Sequence, residues 1–250
     1  MTTLRDIGSA VRLLTVVPLP GAEGRRPVRW FPLVGWGFGA VGVGLAWAGG
    51  LLGLASTAAG ALVLGTLIVG AWALLSGMLH WDGLADSADG LGVRGDSATR
   101  LAAMRGSAIG AYGVTAVVFI ALLQVSAVAA LVENGDAWAL LAAPVIARFG
   151  AGAALLSRRP ARPDGLAARY AGSETLPGVL VMVVVSSSVA LVAPDYLHVL
   201  LAFGSLLLSL AIPAPLTRRL GGITGDVLGA TVLLTETLVL VGAVLLQAAA

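Results

Sequence analysis

The chain has 250 residues, of which 58% are hydrophobic and only 11% charged, with mean hydropathy +0.96. An ordinary soluble domain carries about 25% charged residues, so this composition excludes a soluble globule and a disordered chain; zero Cys excludes a disulfide scaffold. All 15 basic residues are Arg; without Lys there is no Walker A loop, Schiff base or kinase-type ATP site. The net charge of +2 comes with no basic tract interleaved with aromatics, which argues against nucleic acid. What remains is an all-α integral membrane protein in the lipid bilayer, one polytopic domain over 1–250.

In chain order, the first 30 residues form a cytoplasmic or interfacial segment. Leu4, Ile7, Val11 and Leu14 fall at helical spacing opposite Arg5, Ser9 and Arg12, the pattern of a helix lying on a membrane surface. Pro18 and Pro20 break its apolar stretch and no small-residue cleavage site follows, so it does not read as a signal peptide. A transmembrane helix needs about 20 mostly apolar residues. Seven stretches qualify, at 31–54, 57–79, 108–132, 137–157, 176–193, 197–217 and 227–249. They predict about seven helices in one tightly packed bundle. Gly35 and Gly39, Gly49 and Gly53, and Gly106 and Gly110 form small-xxx-small pairs that let helices approach closely and would permit self-association into a homo-oligomer. Gly37 to Gly42 matches the dinucleotide fingerprint by letter, but no βαβ unit surrounds it.

Arg residues mark orientation, because short Arg-rich loops stay cytoplasmic. Arg5, Arg12, Arg25, Arg26 and Arg29, then Arg94, Arg100 and Arg105, then Arg158, Arg159, Arg162 and Arg169, and finally Arg218 and Arg219 all fall on one side of a seven-span topology. That side is the N-terminal, cytoplasmic one. Arg148, the fifteenth, lies inside the fourth span, and Glu236 inside the last. Ionisable groups at that depth face the bundle interior and pair or act.

Chemistry concentrates in an acidic cytoplasmic connection at 80–106, which holds Asp82, Asp86, Asp89 and Asp96. The run from His80 to Gly90 reads HWDGLADSADG. If it is helical, continuing the second span, Asp82, Asp86 and Asp89 lie within about 60° of one face and about 10 Å of rise. Stacked like charges repel, and a divalent cation reverses that sign. Oxygen ligands without Cys point to Mg²⁺, with Mn²⁺ as a substitute. The plain alternative is a solvated acidic loop; against it, Gly83, Ala85, Ser87, Ala88 and Gly90 leave room for a ligand to approach the backbone. A second cluster, Arg218 to Asp226 (RRLGGITGD), opens the last span. Asp226 either caps that helix or completes the metal site from across the bundle. His80 is a hydrogen-bonding group or a ligand beside the acids; His198, on the far side, has no assignment.

Three stretches together, FPLVG at 31–35, HWDGLADSADG at 80–90 and GITGDVLGA at 222–230, resemble the cobalamin synthase family, the adenosylcobinamide-GDP ribazoletransferases of bacteria and archaea. The resemblance covers nearly the whole chain in motif order. A fourth stretch, MRGSAIGAYG at 104–113, keeps the family's Gly-Ala-Tyr-Gly ending but has Gly106 and Ala108 where an acid and a base are usual. The resemblance implies a Mg²⁺-dependent membrane enzyme that joins adenosylcobinamide-GDP to α-ribazole, or to its 5′-phosphate, and releases GMP. It implies a bacterial cytoplasmic membrane, a site facing the cytoplasm and association with other corrinoid-pathway enzymes.

Asp86 to Arg94 is also similar to the first half of the CDP-alcohol phosphotransferase signature; its second half is missing, since Gly110 stands where an acid belongs. In both families an alcohol attacks a phosphorus of a nucleotide-linked diphosphate. On this reading Asp82, Asp86, Asp89 and Asp226 hold the metal, and Asp89 or Asp82 accepts the alcohol proton. His80, Gly90, Arg94, Arg105 and Arg219 contact substrate. The alternatives are a CDP-alcohol phosphotransferase of unusual substrate and, from Arg148 and Glu236, a transporter.

Overall fold

The computed structural model describes residues 2–106, 108–163 and 165–249 and is almost wholly helical. In chain order the helices are α1 (Thr2–Leu14), α2 (Phe31–Leu51), α3 (Ala58–Leu75), α4 (Leu79–Gly92), α5 (Ser97–Ala103), α6 (Ala111–Glu133), α7 (Ala137–Ser157), α8 (Leu166–Tyr170), α9 (Leu176–Ser187), α10 (Tyr196–Ala211), α11 (Pro213–Leu220) and α12 (Gly225–Ala249). Among the described residues, six stretches are helical, long and apolar enough to cross a membrane: Val28–Leu51, Ala58–Leu75, Ala111–Glu133, Ala137–Ser157, Tyr196–Leu220 and Gly225–Ala249. The seventh expected span is shorter. At Leu176–Val192 an α-helix runs into a 3₁₀ turn at Ser188.

The packing order follows burial. α7 and α12 have 78% and 72% of their apolar windows buried, against 28% for α6, so these two helices form the centre. α2 and α10 pack on α7, while α4 and α6 pack on α12 and α3 leans on α6. Glycines set the closest crossings. A Cβ on Gly35 would sit 2.6 Å from the Pro144 carbonyl oxygen, and one on Gly39 would sit 2.8 Å from Leu141 Cα, both on α7. That pair therefore does what its spacing predicts. The other two pairs do not. Gly53 ends α2 at φ 72°, Gly106 precedes α6, and Gly110 is the residue before its first turn.

Several buried polar groups pair across the bundle. Arg148 and Glu236 form an ion pair between α7 and α12, with the Arg148 guanidinium 4.0 Å over the Phe38 ring. Gln124 of α6 donates to the Leu233 carbonyl and to Thr237 Oγ1. At the end of the bundle opposite the acids, His198 contacts Asp195 at 2.8 Å and Asp136 at 3.3 Å, each of which also starts a helix by accepting backbone N–H bonds.

Candidate active site

Expected as a continuation of the second span, the acidic segment is instead a separate helix. α3 ends in a Schellman motif: the Gly77 N–H donates to the Leu74 carbonyl and the Met78 N–H to that of Ala73, with left-handed φ of 60° and 63° at Gly77 and Met78. The helix breaks there and restarts, and α4 carries His80, Asp82, Asp86 and Asp89. α4 ends where Arg100 of α5 donates to the carbonyls of Gly90 and Leu91, satisfying acceptors that a helix end leaves open. Asp96 is outside this group. It caps α5, accepting the Thr99 N–H and hydroxyl, and these bonds hold its carboxyl below the usual carboxylate range.

α4 meets the start of α12 at a contact that only glycine allows. A Cβ on Gly83 would lie 2.7 Å from the Asp226 carbonyl oxygen, and one on Gly229 would lie 3.1 Å from His80 Cα. Asp226, as expected, comes to the acids of α4 from the other side of the bundle. It is not the cap of α12; Thr224 is, accepting the Val227 N–H at 3.2 Å. Gly83 and Gly90 thus serve a different purpose from the one expected. The space beside Gly83 is taken by α12, and that beside Gly90 by Met104, whose Cγ lies 2.5 Å from where a Cβ would be. They admit protein, which is what brings the carboxylates together.

The four carboxylates then divide. Asp89 turns to α6. Its Oδ2 accepts the Gly110 N–H at 2.6 Å and its Oδ1 the Gly113 N–H at 2.8 Å, and a Cβ on either glycine would collide with the carboxylate at 2.5 Å. The Gly-Ala-Tyr-Gly ending is thus the seat of Asp89, a negative charge on the positive end of a 23-residue helix. Asp82 is exposed, while Asp86 and Asp226 are half-buried. The Asp86 carboxyl is pushed up to about 6, first by burial and then by repulsion from Asp82, Asp226 and Asp89, against the pull of Arg162. Among the described residues, no three His or acidic side chains are close enough to hold a metal ion by themselves.

Arg162 is the site residue that sequence reading overlooked, because it lies in a connection read only as a membrane anchor. A single parallel bridge decides its place: the Ala161 N–H donates to the Ile223 carbonyl and the Ile223 N–H to that of Arg159. Gly222 fits under this strap, where a Cβ would be 2.6 Å from the Arg159 carbonyl oxygen. The strap carries Arg162 to within electrostatic reach of Asp86 and Asp226, while its Nη2 donates to the Leu101 carbonyl at 2.8 Å. Arg94, Arg105 and Arg219 are all exposed and form no hydrogen bond or ion pair among the described residues. His80 is away from the open face. It is 4% exposed, neither ring nitrogen has a partner, and it lines a cavity of about 70 Å³ with Leu14, Phe31 and Gly225; burial and the nearby Arg148 keep it neutral.

The family description Cobalamin-5-phosphate synthase matches residues 6–244. A protein of Sinorhizobium medicae named adenosylcobinamide-GDP ribazoletransferase is 37% identical, over 96% of this chain and 97% of its own length. Proteins of the same name from Pseudomonas fluorescens and Azorhizobium caulinodans are 34% and 35% identical, again over 96% of this chain. No solved structure matches. With residues 6–244 matched by the family and relatives 34% to 37% identical over 96% of the chain, the chain belongs to the cobalamin-5-phosphate synthase family.

Proposed function

We propose that the protein is an adenosylcobinamide-GDP ribazoletransferase: it joins adenosylcobinamide-GDP to α-ribazole, or to its 5′-phosphate, forming adenosylcobalamin or its phosphate and releasing GMP. The observation that carries this reading is the meeting of Asp82, Asp86 and Asp226 with Arg162 at the Gly83 crossing, in a family whose relatives bear that enzyme's name. We place it in the bacterial cytoplasmic membrane with the acids facing the cytoplasm. The Arg residues of the connections support that orientation.

The donor set suits Mg²⁺. Hard carboxylate oxygens lie within electrostatic reach of one another without Cys, and burial together with mutual repulsion raises Asp86, so a divalent cation would relieve the cluster. A closed protein cage is not required, since Mg²⁺ is commonly held by one or two carboxylates with substrate phosphates and water. One or two of Asp82, Asp86 and Asp226 would hold it together with substrate phosphates, and a bound Mg²⁺ would supply neutralisation of charge on the diphosphate. The chain's own residues do the rest. Arg162, with Arg94, Arg105 and Arg219 on the open side, neutralises and orients phosphate oxygens. A carboxylate takes the ribazole hydroxyl proton as oxygen bonds to phosphorus and GMP leaves. Asp86 is freer for that task than Asp89, both of whose oxygens already accept backbone N–H groups. Asp82 stands beside it as the second acceptor. Asp89 fixes α6 against α4, and Gly90 and His80 support the site from within the protein.

The test is detergent-solubilised protein given adenosylcobinamide-GDP, α-ribazole and Mg²⁺. GMP release that depends on α-ribazole supports the reading; release only with CDP-alcohols would assign the other phosphotransferase chemistry, and no release refutes both. The transporter reading loses its motive, because Arg148 and Glu236 neutralise each other in the bundle interior.

A further inference from the structure

The N-terminal segment frames a second polar cleft, open to the surface and apart from the acids of α4. Its volume is about 540 Å³, within the range of small-ligand sites. Arg5, Arg25, Arg26 and Arg29 line it, along with Asp6 and Glu23. The acids cancel only part of this charge. Glu23 pairs with Arg169, outside the cleft lining, and Asp6 accepts the backbone N–H of Arg26. Arg29 is paired with Glu174 at 2.6 Å. Among the described residues no carboxylate forms an ion pair with Arg5, Arg25 or Arg26. Three unpaired guanidiniums on one cleft repel, and an anion reverses the sign of that interaction.

The walls are fixed. Ser9 of α1 accepts the Gly24 N–H at 2.7 Å, and Gly24 lies so close to Asp6 that a Cβ would be 2.4 Å from its carboxylate. The loop bearing Arg25 and Arg26 is therefore held against α1 by a contact that excludes any larger residue. The same segment shows an apolar surface to its surroundings, with Leu4 and Val16 76% and 59% exposed. Charge beside exposed apolar side chains is the pattern of the membrane–water boundary.

We infer that this cleft is a phosphate-binding site at the membrane surface, and that its ligand is an anionic phospholipid headgroup whose acyl chains lie beside the exposed Leu4 side chain. Guanidiniums take phosphate oxygens in pairs. The inference is independent of the transferase reading, since none of these residues belongs to the acidic site.

The test compares the full chain with an Arg5→Gln/Arg25→Gln/Arg26→Gln variant in a neutral detergent. Phosphatidylglycerol, phosphatidylcholine and pyrophosphate are each titrated, and bound ligand is read by native mass spectrometry. The expected result is saturable phosphatidylglycerol binding that weakens about tenfold or more in the variant, the loss expected when charge-assisted contacts are removed, with phosphatidylcholine weak in both proteins. An Arg159→Gln/Arg218→Gln variant, which removes charge elsewhere, keeps the binding; if it also loses it, the site is refuted. Binding of pyrophosphate alone, lost in the triple variant, keeps the phosphate site and rejects the lipid as its source. Equal phosphatidylglycerol binding by variant and wild type, or no binding of either anion, overturns the inference. If the triple variant fails to fold, Arg25→Gln and Arg26→Gln singly serve for the same titration.

Discussion

Adding one methyl group at Gly83 separates the two halves of the acidic site without removing any of its chemistry. An Ala Cβ there would be 2.7 Å from the Asp226 carbonyl oxygen and 3.0 Å from its Cα. Heavy atoms rest at roughly 3.5 Å, so α4 and α12 must part by about 0.8 Å, and both contacts are backbone, which cannot swing aside. Overpacking of this kind costs about 1–3 kcal/mol, while replacing Gly by Ala inside a helix returns about 1 kcal/mol. Net destabilisation is thus at most about 2 kcal/mol. Activity is more sensitive, because a misplacement of about 1 Å can cost about 100-fold. Gly83→Ala is expected to fold, to shift the thermal midpoint by a few degrees, and to lower GMP release by about 10- to 100-fold. Gly37→Ala is the control: no atom lies within 4 Å of its Cβ, so it keeps full activity. If Gly83→Ala is as active as Gly37→Ala, the α4–α12 crossing does not set the site and the geometric argument fails.

Four further outcomes follow from particular contacts. Asp89→Ala leaves the Gly110 and Gly113 N–H groups without their acceptor and costs about 1–3 kcal/mol in thermal unfolding, whereas Asp86→Ala leaves stability level or raises it while activity falls; equal stability losses in the two would contradict their separate roles. Because the Asp86 pKa is raised to about 6 in the folded chain, its ionised form is a burden that grows as pH rises from the ordinary range near 4 through 6 and is relieved when a cation binds. Thermal stabilisation by Mg²⁺ should therefore be greatest above pH 6 and fade between pH 6 and 5; a flat profile would contradict it. Arg162→Gln is expected to raise KM for adenosylcobinamide-GDP and to push Asp86 further up, moving the acid limb of the rate profile to higher pH; an unchanged profile separates Arg162 from the site. Arg148→Met strands the Glu236 charge and costs about 3–5 kcal/mol, while Arg148→Met with Glu236→Gln recovers much of that loss.

What the sequence made legible was what composition and periodicity encode. The apolar runs predict the spanning helices to within a few residues, with α7 at the expected 137–157, and the depth of Arg148 and Glu236 predicts that both face the bundle interior, though not that they pair with each other. The acids on α4 and their meeting with Asp226 were also readable, as motifs. Errors arose where glycine has two meanings. Gly77 reads as part of an apolar run, yet it closes α3 before α4 begins. Gly83 and Gly90 read as clearance for a ligand, yet they admit α12 and Met104. Nothing within the Gly-Ala-Tyr-Gly ending says that its glycines seat a carboxylate 21 residues earlier in the chain. Arg162 was hidden for the same reason: its placement depends on one bridge between Pro160 and Ile223, which no local pattern reveals.

The central claim is that Asp82, Asp86 and Asp226 act together on the diphosphate. It is tested most directly by Mg²⁺-dependent GMP release from adenosylcobinamide-GDP with α-ribazole, measured on detergent-solubilised Asp82→Ala, Asp86→Ala and Asp226→Ala proteins that unfold cooperatively. The account predicts a loss of about 100-fold or more in each, the scale on which removing one electrostatic or proton-transfer group lowers a rate. Near-normal Mg²⁺-dependent turnover in all three would contradict it.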